Sequence, residues 1–286
     1  MTSLGLENVH VLITGAASGI GKATVQLLLQ SQAIVSASDR SLQLLQLGLA
    51  NHITNPRLHL VPADMRSELA VQQLFENATN HPFLKNLSGI KAPPTVLVAN
   101  AGICHEGAPV LLADMSLDQW RGTYANNVDG TFLVIRQFIR SLLAYPSTQS
   151  LTNIAIVITG SETAVFGQAG HSDYASGKAA LQYGLVRSLK NELPASVHPR
   201  ARVNAVAPGW TRTPMVGDYL DDPQNKYRHA QATVALRKVA EPEDVARAIV
   251  WLASEKWAGH VTGQCISVDG GMEGRLLYSA AECARL

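Results

Sequence analysis

Cysteine is scarce in this chain: Cys104, Cys265 and Cys283 are the three in 286 residues. They are odd in number, widely spaced and set in no metal-ligand pattern. This argues against a disulfide framework or a metal centre, and for reduced thiols in a reducing, cytoplasmic compartment. Excess charge is also lacking. The 23 Lys and Arg residues nearly balance the 22 Asp and Glu residues, leaving a formal net charge of +1. No block of like charge appears, so neither nucleic acid nor an anionic membrane is an expected partner. No apolar run approaches the ~20 residues of a membrane helix. No basic segment followed by a long apolar stretch opens the chain, so a secretory leader is not expected. What remains is a hydrophobic content of 47%, ample for a large buried core.

The apolar residues come in short β-branched runs separated by longer helix-like stretches. Strands are expected at Val9–Thr14, Ala33–Ser38, Leu58–Pro62, Thr95–Ala99, Ile154–Thr159, Arg202–Ala207 and Gln264–Val268. Most are apolar on both faces, as parallel strands covered above and below must be. Helices are expected at Lys22–Gln30, Glu68–Thr79, Ser116–Leu143, Ser172–Leu193 and Pro242–Ser254. The alternation predicts an α/β fold, a Rossmann-type doubly wound seven-stranded parallel sheet flanked by helices. No linker divides it, so residues 1–286 read as one dinucleotide-binding catalytic domain.

Directly after the first run stands Thr14-Gly-Ala-Ala-Ser-Gly-Ile-Gly21. A strand, a glycine-rich turn and a helix start are the parts of a dinucleotide-phosphate site. Gly15 permits the turn, Gly19 lets the backbone approach a pyrophosphate, and Gly21 lets the helix pack against the sheet. The helix N-terminus offers unpaired N–H groups to the phosphates. A plain turn is the alternative. Asp39 ends the second strand eighteen residues past Gly21. An acid there accepts both ribose hydroxyls of an adenosine and repels a 2′-phosphate. It could equally cap a helix, and Arg40 beside it could grip a 2′-phosphate. With Ser18 rather than a basic residue in the loop, NAD is the expected cofactor and NADP the alternative.

Tyr174 and Lys178 in Tyr-Ala-Ser-Gly-Lys stand at i and i+4, on one helical face. A tyrosine of pKa ~10 is a poor base at neutral pH, and a neighbouring ammonium favours its phenolate. The pair suits acid–base work on an alcohol or carbonyl oxygen, although such pairs also occur on plain surfaces. Ser161, at the end of the fifth strand, could donate a hydrogen bond to the same oxygen.

Together these motifs resemble the single-domain short-chain dehydrogenase/reductase family, over about residues 8–271. The glycine loop, including Ser18 and Ile20, is similar to the family's cofactor loop. Asp64 and Met65 fall where the family contacts adenine, and Asn100-Ala101-Gly102 matches most of its Asn-Asn-Ala-Gly turn. Asn127, Ser161, Tyr174 and Lys178 match its catalytic tetrad. Pro208, Gly209, Thr211 and Thr213 match the segment that contacts the nicotinamide. Two departures stand out. Ala99 replaces an asparagine that steadies the sheet, and Gly160 before Ser161 implies extra backbone freedom and an altered pocket.

The resemblance implies reversible hydride transfer between a nicotinamide cofactor and a secondary alcohol or ketone. Tyr174 exchanges the proton, Lys178 tunes it and holds the ribose, Ser161 steadies the substrate oxygen and Asn127 positions a relay water. It also implies a substrate lid over about residues 209–240, followed by a tail at 272–286. His105, Glu162, Gln168, Trp210, Met215 and Tyr219, with Val216 and Leu220, are candidates for the substrate pocket. A bulky apolar small molecule, such as a polyketide, terpenoid or steroid-like metabolite, is the expected substrate. A biosynthetic NADPH-dependent ketoreductase and a non-redox isomerase or cyclase are the alternatives. Ala175, Ser176, Gly177, Ala179, Ala180 and Gly184 allow close helix approach, and a homodimer or homotetramer is expected.

Overall fold

The computed structural model describes residues 3–84, 91–105, 109–276 and 279–283. The expected strands form as β1 (His10–Thr14), β2 (Ile34–Asp39), β3 (Leu58–Pro62), β4 (Val96–Ala99), β5 (Ala155–Thr159), β6 (Arg202–Pro208) and β7 (Cys265–Val268). All pair in parallel, in the order β3-β2-β1-β4-β5-β6-β7. The strands alternate their side chains between two cores. Leu12, Leu97, Ile156 and Ile158 enter one; Val11, Ile13, Val96, Val98 and Val157 enter the other. Double burial explains why the strands read as unbroken apolar runs.

The covering helices are α1 (Gly19–Gln30), α2 (Leu42–Gly48), α3 (Glu68–Thr79), α4 (Leu117–Tyr124), α5 (Gly130–Leu143), α6 (Ser172–Ala179), α7 (Val186–Ser196) and α8 (Pro242–Ala253). Helices α1 and α8 cover the Val11 face, through Val25, Leu28, Val245 and Ile249. Helices α3, α5 and α7 cover the other, through Phe75, Phe138 and Leu189. The chain order reverses between β1 and β4, and the crevice at that reversal is where open α/β sheets bind ligands.

Three expectations need correction. The first helix starts at Gly19, not Lys22, which places Gly19 and Gly21 in its first turn. The segments 116–143 and 172–193 are not continuous α-helices. A π-turn, Ala125–Asp129, separates α4 from α5, and another, Ala180–Leu185, separates α6 from α7. Such turns re-aim side chains and gather at functional sites. Here they carry Asn127 and Gln182.

Residues 209–240 contain short helical turns, Gly217–Asp221, Pro223–Lys226 and Tyr227–Gln231. Thr211 pairs with Ala240 at the neck of this excursion. Trp210, Leu220 and Ala230 give it a small core of its own. The start of the tail is tied to it, since Val234 pairs with Met272 and Glu273 N–H donates to the Thr233 carbonyl. The final residues, 284–286, lie outside the described residues, and so does any contact of the Cys283 side chain.

Candidate active site

The turn after β1 is shaped by close approaches that only glycine permits. Gly15 and Gly19 have φ of +65° and +50°. A Cβ on Gly21 would stand 2.0 Å from the Gly15 carbonyl oxygen. A Cβ on Gly19 would meet Thr213 across the crevice at 3.0 Å. The cradle therefore keeps bare backbone facing a cavity of about 920 Å³ that runs from Asp39 to Tyr174.

At one end of this cavity, Asp39 accepts from the N–H groups of Ala17 at 3.2 Å and Arg40 at 2.8 Å. The carboxylate is thus fixed to the glycine turn. Asp64 is gripped by both ends of the Arg66 guanidinium, the shortest contact being 2.7 Å. That hydrogen bonding holds the Asp64 carboxyl below the usual carboxylate range. Arg66 was not anticipated; a bidentate partner two residues away leaves no periodic trace in the sequence.

Asn100 stitches three strands at the crevice floor. Its amide donates to the carbonyls of Thr14 and Gly15 at 3.2 and 3.1 Å, and its oxygen accepts from Thr159 Oγ1 at 3.0 Å. The expected loss at Ala99 is therefore not felt at this stitch, since Ala99 packs in the core.

Asn127 is buried. Its side chain pairs with both backbone groups of Ile103 at 2.8 Å, and its carbonyl accepts from Thr131 Oγ1 at 2.7 Å. A Cβ on Gly102 would stand 3.4 Å from both Asn127 Oδ1 and Lys178 Nζ, so the three residues meet. Lys178 Nζ donates to the Thr159 carbonyl at 2.7 Å and lies 5.5 Å from the Tyr174 ring centre. Burial pushes the Lys178 ammonium down to about 8. Tyr174 is held from behind. Its N–H donates to Asp173 Oδ1 at 2.8 Å, and Asp173 Oδ2 accepts from Thr123 Oγ1 at 2.6 Å. One of the unpaired donors at the start of α6 is satisfied in this way, and α6 is tied to α4.

Ser161 Oγ has three partners. It accepts from Thr163 N–H at 3.2 Å and Thr163 Oγ1 at 3.0 Å, and donates to Glu162 Oε2 at 3.0 Å. Its own N–H donates to Gln182 Oε1 at 2.8 Å. Gly160 belongs to this contact, because a Cβ there would stand 2.0 Å from Gln182 Oε1. The expectation of added backbone freedom at Gly160 is therefore corrected: the missing side chain makes room for the Gln182 amide. Gln182 is a polar residue buried in an apolar helix, and its pairing with a glycine 22 positions earlier is visible only in three dimensions.

The cavity gathers most of the expected residues. Gly15, Ser18, Gly19, Ile20, Asp39, Arg40, Asp64, Met65, Asn100, Ala101 and Gly102 line it. So do Ser161, Glu162, Tyr174, Lys178, Pro208, Gly209, Trp210, Thr211, Thr213, Met215 and Val216. Gly21 and Asn127 support it from beneath. His105, Gln168 and Tyr219 are not among its lining. His105 is exposed, and Tyr219 stacks on Trp210 at 5.9 Å, serving the core of the excursion. Leu220 is buried in that core too. Ile103, Asn126 and Thr163 line the cavity without having been expected. No cluster of His, Cys, Asp and Glu among the described residues can hold a metal ion, and no described helix is long and apolar enough to cross a membrane.

A glycine cradle at the switch point of a parallel sheet, running into a Tyr–Lys–Ser constellation, defines a dinucleotide-dependent oxidoreductase site. Residues 15–273 match the family model described as Enoyl-(Acyl carrier protein) reductase. The chain is 32% identical over 273 residues to 3-oxoacyl-(acyl-carrier-protein) reductase FabG of Thermotoga maritima, covering 93% of this chain and 98% of that one. It is 30% identical over 268 residues to 2,5-dichloro-2,5-cyclohexadiene-1,4-diol dehydrogenase of Sphingobium indicum, covering 93% and 97%. A solved short-chain dehydrogenase/reductase from Brucella melitensis superposes with a TM-score of 0.76 at 25% identity, covering 98% of this chain and all of that one. A 3-ketoacyl-(acyl-carrier-protein) reductase from the same organism, complexed with NADH, shares the fold with a TM-score of 0.78 at 24% identity, over 93% of this chain and 98% of that one. The chain belongs to the short-chain dehydrogenase/reductase family.

Proposed function

We propose that this protein interconverts a secondary alcohol and a ketone with NAD, on a bulky, largely apolar metabolite. The convergence of Tyr174, Lys178 and Ser161 at one end of the cavity that begins at the glycine cradle carries this reading. The bare backbone of the cradle and the N-terminus of α1 fit a pyrophosphate. Asp39, anchored by two backbone N–H groups, fits a ribose diol and repels a 2′-phosphate. NAD is therefore the cofactor proposed, with NADP as the alternative that Arg40 would serve. Trp210, Met215, Val216 and Ile103 supply the apolar wall, and residues 209–240 serve as the lid.

When bound, the nicotinamide supplies or accepts the hydride. Tyr174 Oη gives the proton to the ketone oxygen or takes it from the alcohol. Lys178 lowers the cost of the Tyr174 phenolate through its charge and holds the ribose on the nicotinamide side. Ser161 steadies the substrate oxygen. Asn127 fixes the Ile103 backbone at the cavity wall and would hold the water through which Lys178 reaches solvent.

Tyr174→Phe tests the assignment, read as absorbance at 340 nm over a panel of alcohols and ketones. Turnover falls by at least ~10²-fold while NADH affinity stays within about twofold. Near wild-type rates would refute the acid–base role. Turnover that leaves NADH unchanged would favour an isomerase or cyclase. Fluorescence titration with NADH and NADPH tests the cofactor: NADH binds more tightly, and Asp39→Ala narrows the gap.

For assembly, we propose a homodimer or homotetramer through the outer faces of α4 to α7. There a Cβ on Gly122 or Gly184 meets nothing within 4 Å, and Leu117, Phe132 and Leu143 are exposed. Gly177 packs inward on Val128 and takes no part. Light scattering at micromolar concentration that showed only a species near 31 kDa would refute this.

A further inference from the structure

Beyond β7 the chain turns through Gly270 and Gly271, whose φ are +68° and +80°, and runs back along residues 233–236. Leu236 N–H donates to the Gly270 carbonyl at 3.0 Å, Ala235 N–H to that of Gly271 at 3.2 Å, and Glu273 N–H to that of Thr233 at 3.2 Å. Met272 packs on the small core of Trp210, Leu220 and Ala230. Val216 packs on that core too, and Trp210 and Val216 both line the cavity. Two residues after Met272 the tail reaches a second part of the wall. A Cβ on Gly274 would stand 2.7 Å from Phe166 Cδ1, so bare backbone lies on the Phe166 ring. Phe166 closes the helical turn after β5. Its N–H donates to the Glu162 carbonyl at 3.1 Å, and Ala164 N–H donates to the Ser161 carbonyl at 3.2 Å. Ser161, Glu162 and Thr163, in the same turn, line the cavity. Farther along the tail, the short helix Ala280–Cys283 lies beside the turn Tyr227–Gln231.

We propose that Met272 to Gly274 form a strap that positions the substrate end of the site, by tying residues 209–240 to the turn that carries Ser161. This rests on the hydride-transfer reading above and on residues 209–240 as the lid. Three consecutive residues touch both parts of the wall. The lid therefore cannot lift as far as residues 233–236 without breaking the short ladder or pulling on the Phe166 turn. Met272 does not line the cavity; it acts through Trp210 and Val216 and is a positioning residue. Methionine suits such a joint, since its flexible thioether fills an irregular gap while the surfaces shift. Small displacements of a wall matter because a substrate misplaced by about 1 Å can lose about 10² in rate. A bulky ketone that touches both parts of the wall depends on the strap. A ketone too small to span them does not.

The experiment compares the wild type with a chain ending after Gly271, with Met272→Ala and with Met272→Leu. NADH binding by fluorescence checks that each is folded, and it stays within about threefold because the glycine cradle is remote from the strap. Hydrogen exchange read by mass spectrometry follows residues 209–232 and 161–167 separately, both outside the ladder itself. In the shortened chain both segments exchange at least about tenfold faster. Met272→Ala raises KM for 2-decalone at least about fivefold and that for acetone less than about twofold, and Met272→Leu, of similar volume, restores both. Unchanged exchange at 161–167 in the shortened chain, or equal changes in KM for the two ketones, would overturn the proposal. Should the shortened chain fail to bind NADH, the Met272 variants decide. No turnover by the wild type of either ketone or of the matching alcohols, with NADH still bound, would overturn the hydride-transfer reading, while the exchange rates would still judge the strap.

Discussion

Replacing Gly160 with alanine puts one methyl group where the Gln182 amide now lies. The new Cβ would stand 2.0 Å from Gln182 Oε1, 3.0 Å from its Cδ and 3.1 Å from the Val206 carbonyl oxygen. Neither β5 nor β6 can yield, because their ladder is paired along its length, so the amide must move. Overpacking of a dense interior costs about 1–3 kcal/mol. Expelling the amide also leaves the buried Ser161 N–H without its acceptor, for about 1–3 kcal/mol more. The total is about 2–6 kcal/mol. An unfolding entropy of ~2.1 cal/mol/K per residue over this chain is about 0.6 kcal/mol/K, so Tm should fall by about 3–10 °C. Gln182→Val alone loses only the acceptor, and it removes an amide nitrogen that has no partner. The double variant should therefore be more stable than Gly160→Ala by itself, a coupling that a double-mutant cycle in urea measures. Both single variants should lower kcat with NADH affinity kept, since the group that loses its anchor is the Ser161 backbone. A Tm for Gly160→Ala within about 1 °C of wild type, or losses that simply add in the double variant, would refute the contact as the reason for this glycine.

Lys178 titrates at about 8 rather than 10.5 because it is buried. Between those values the unfolded chain holds a proton that the folded one lacks, so this group makes the fold more stable as pH rises. From pH 7.5 to 9.5 the wild type should gain about 2 kcal/mol relative to Lys178→Met, read from urea unfolding; parallel curves would refute the depressed value. His10 is depressed from 6.5 to about 3 by burial and by its neighbours His81 and His59. Its folded value lies below the unfolded one, so stability is present above pH 6.5 and lost as pH falls toward 3. The loss by pH 4.5 is about 3 kcal/mol, and His10→Gln should flatten that acid limb in denaturant titrations. Asp173→Ala should lower kcat more than it changes cofactor binding, because it releases the Tyr174 backbone and the Thr123 contact; stopped-flow turnover alongside NADH titration checks this.

The parallel sheet and the cofactor end of the site were legible in the sequence because their physics is local. Strands buried on both faces must be apolar throughout, and a backbone that must touch a phosphate needs glycine within a few residues of a strand end. The Tyr174–Lys178 pair was legible for the same reason, being one helical turn apart. What the tertiary structure alone decided depends on contacts between distant segments. Gly160 looked like slack and is a socket for Gln182, since no local rule relates a strand end to a later π-turn. The breaks at Ala125–Asp129 and Ala180–Leu185 leave no mark in apolar periodicity, because one extra residue in a turn is settled by packing. Tyr219 and His105 looked equal to Trp210 as pocket residues, and only the folded chain separates them: Trp210 spans the small core of residues 209–240 and the cavity wall, Tyr219 stacks on it away from the lining, and His105 stands exposed in the loop beyond β4. The surroundings of Ser161 Oγ are the sharpest case. Thr163 and Glu162 adjoin it in sequence, but their groups converge on its oxygen only because the chain turns into the helical turn Thr163–Phe166 directly beyond β5.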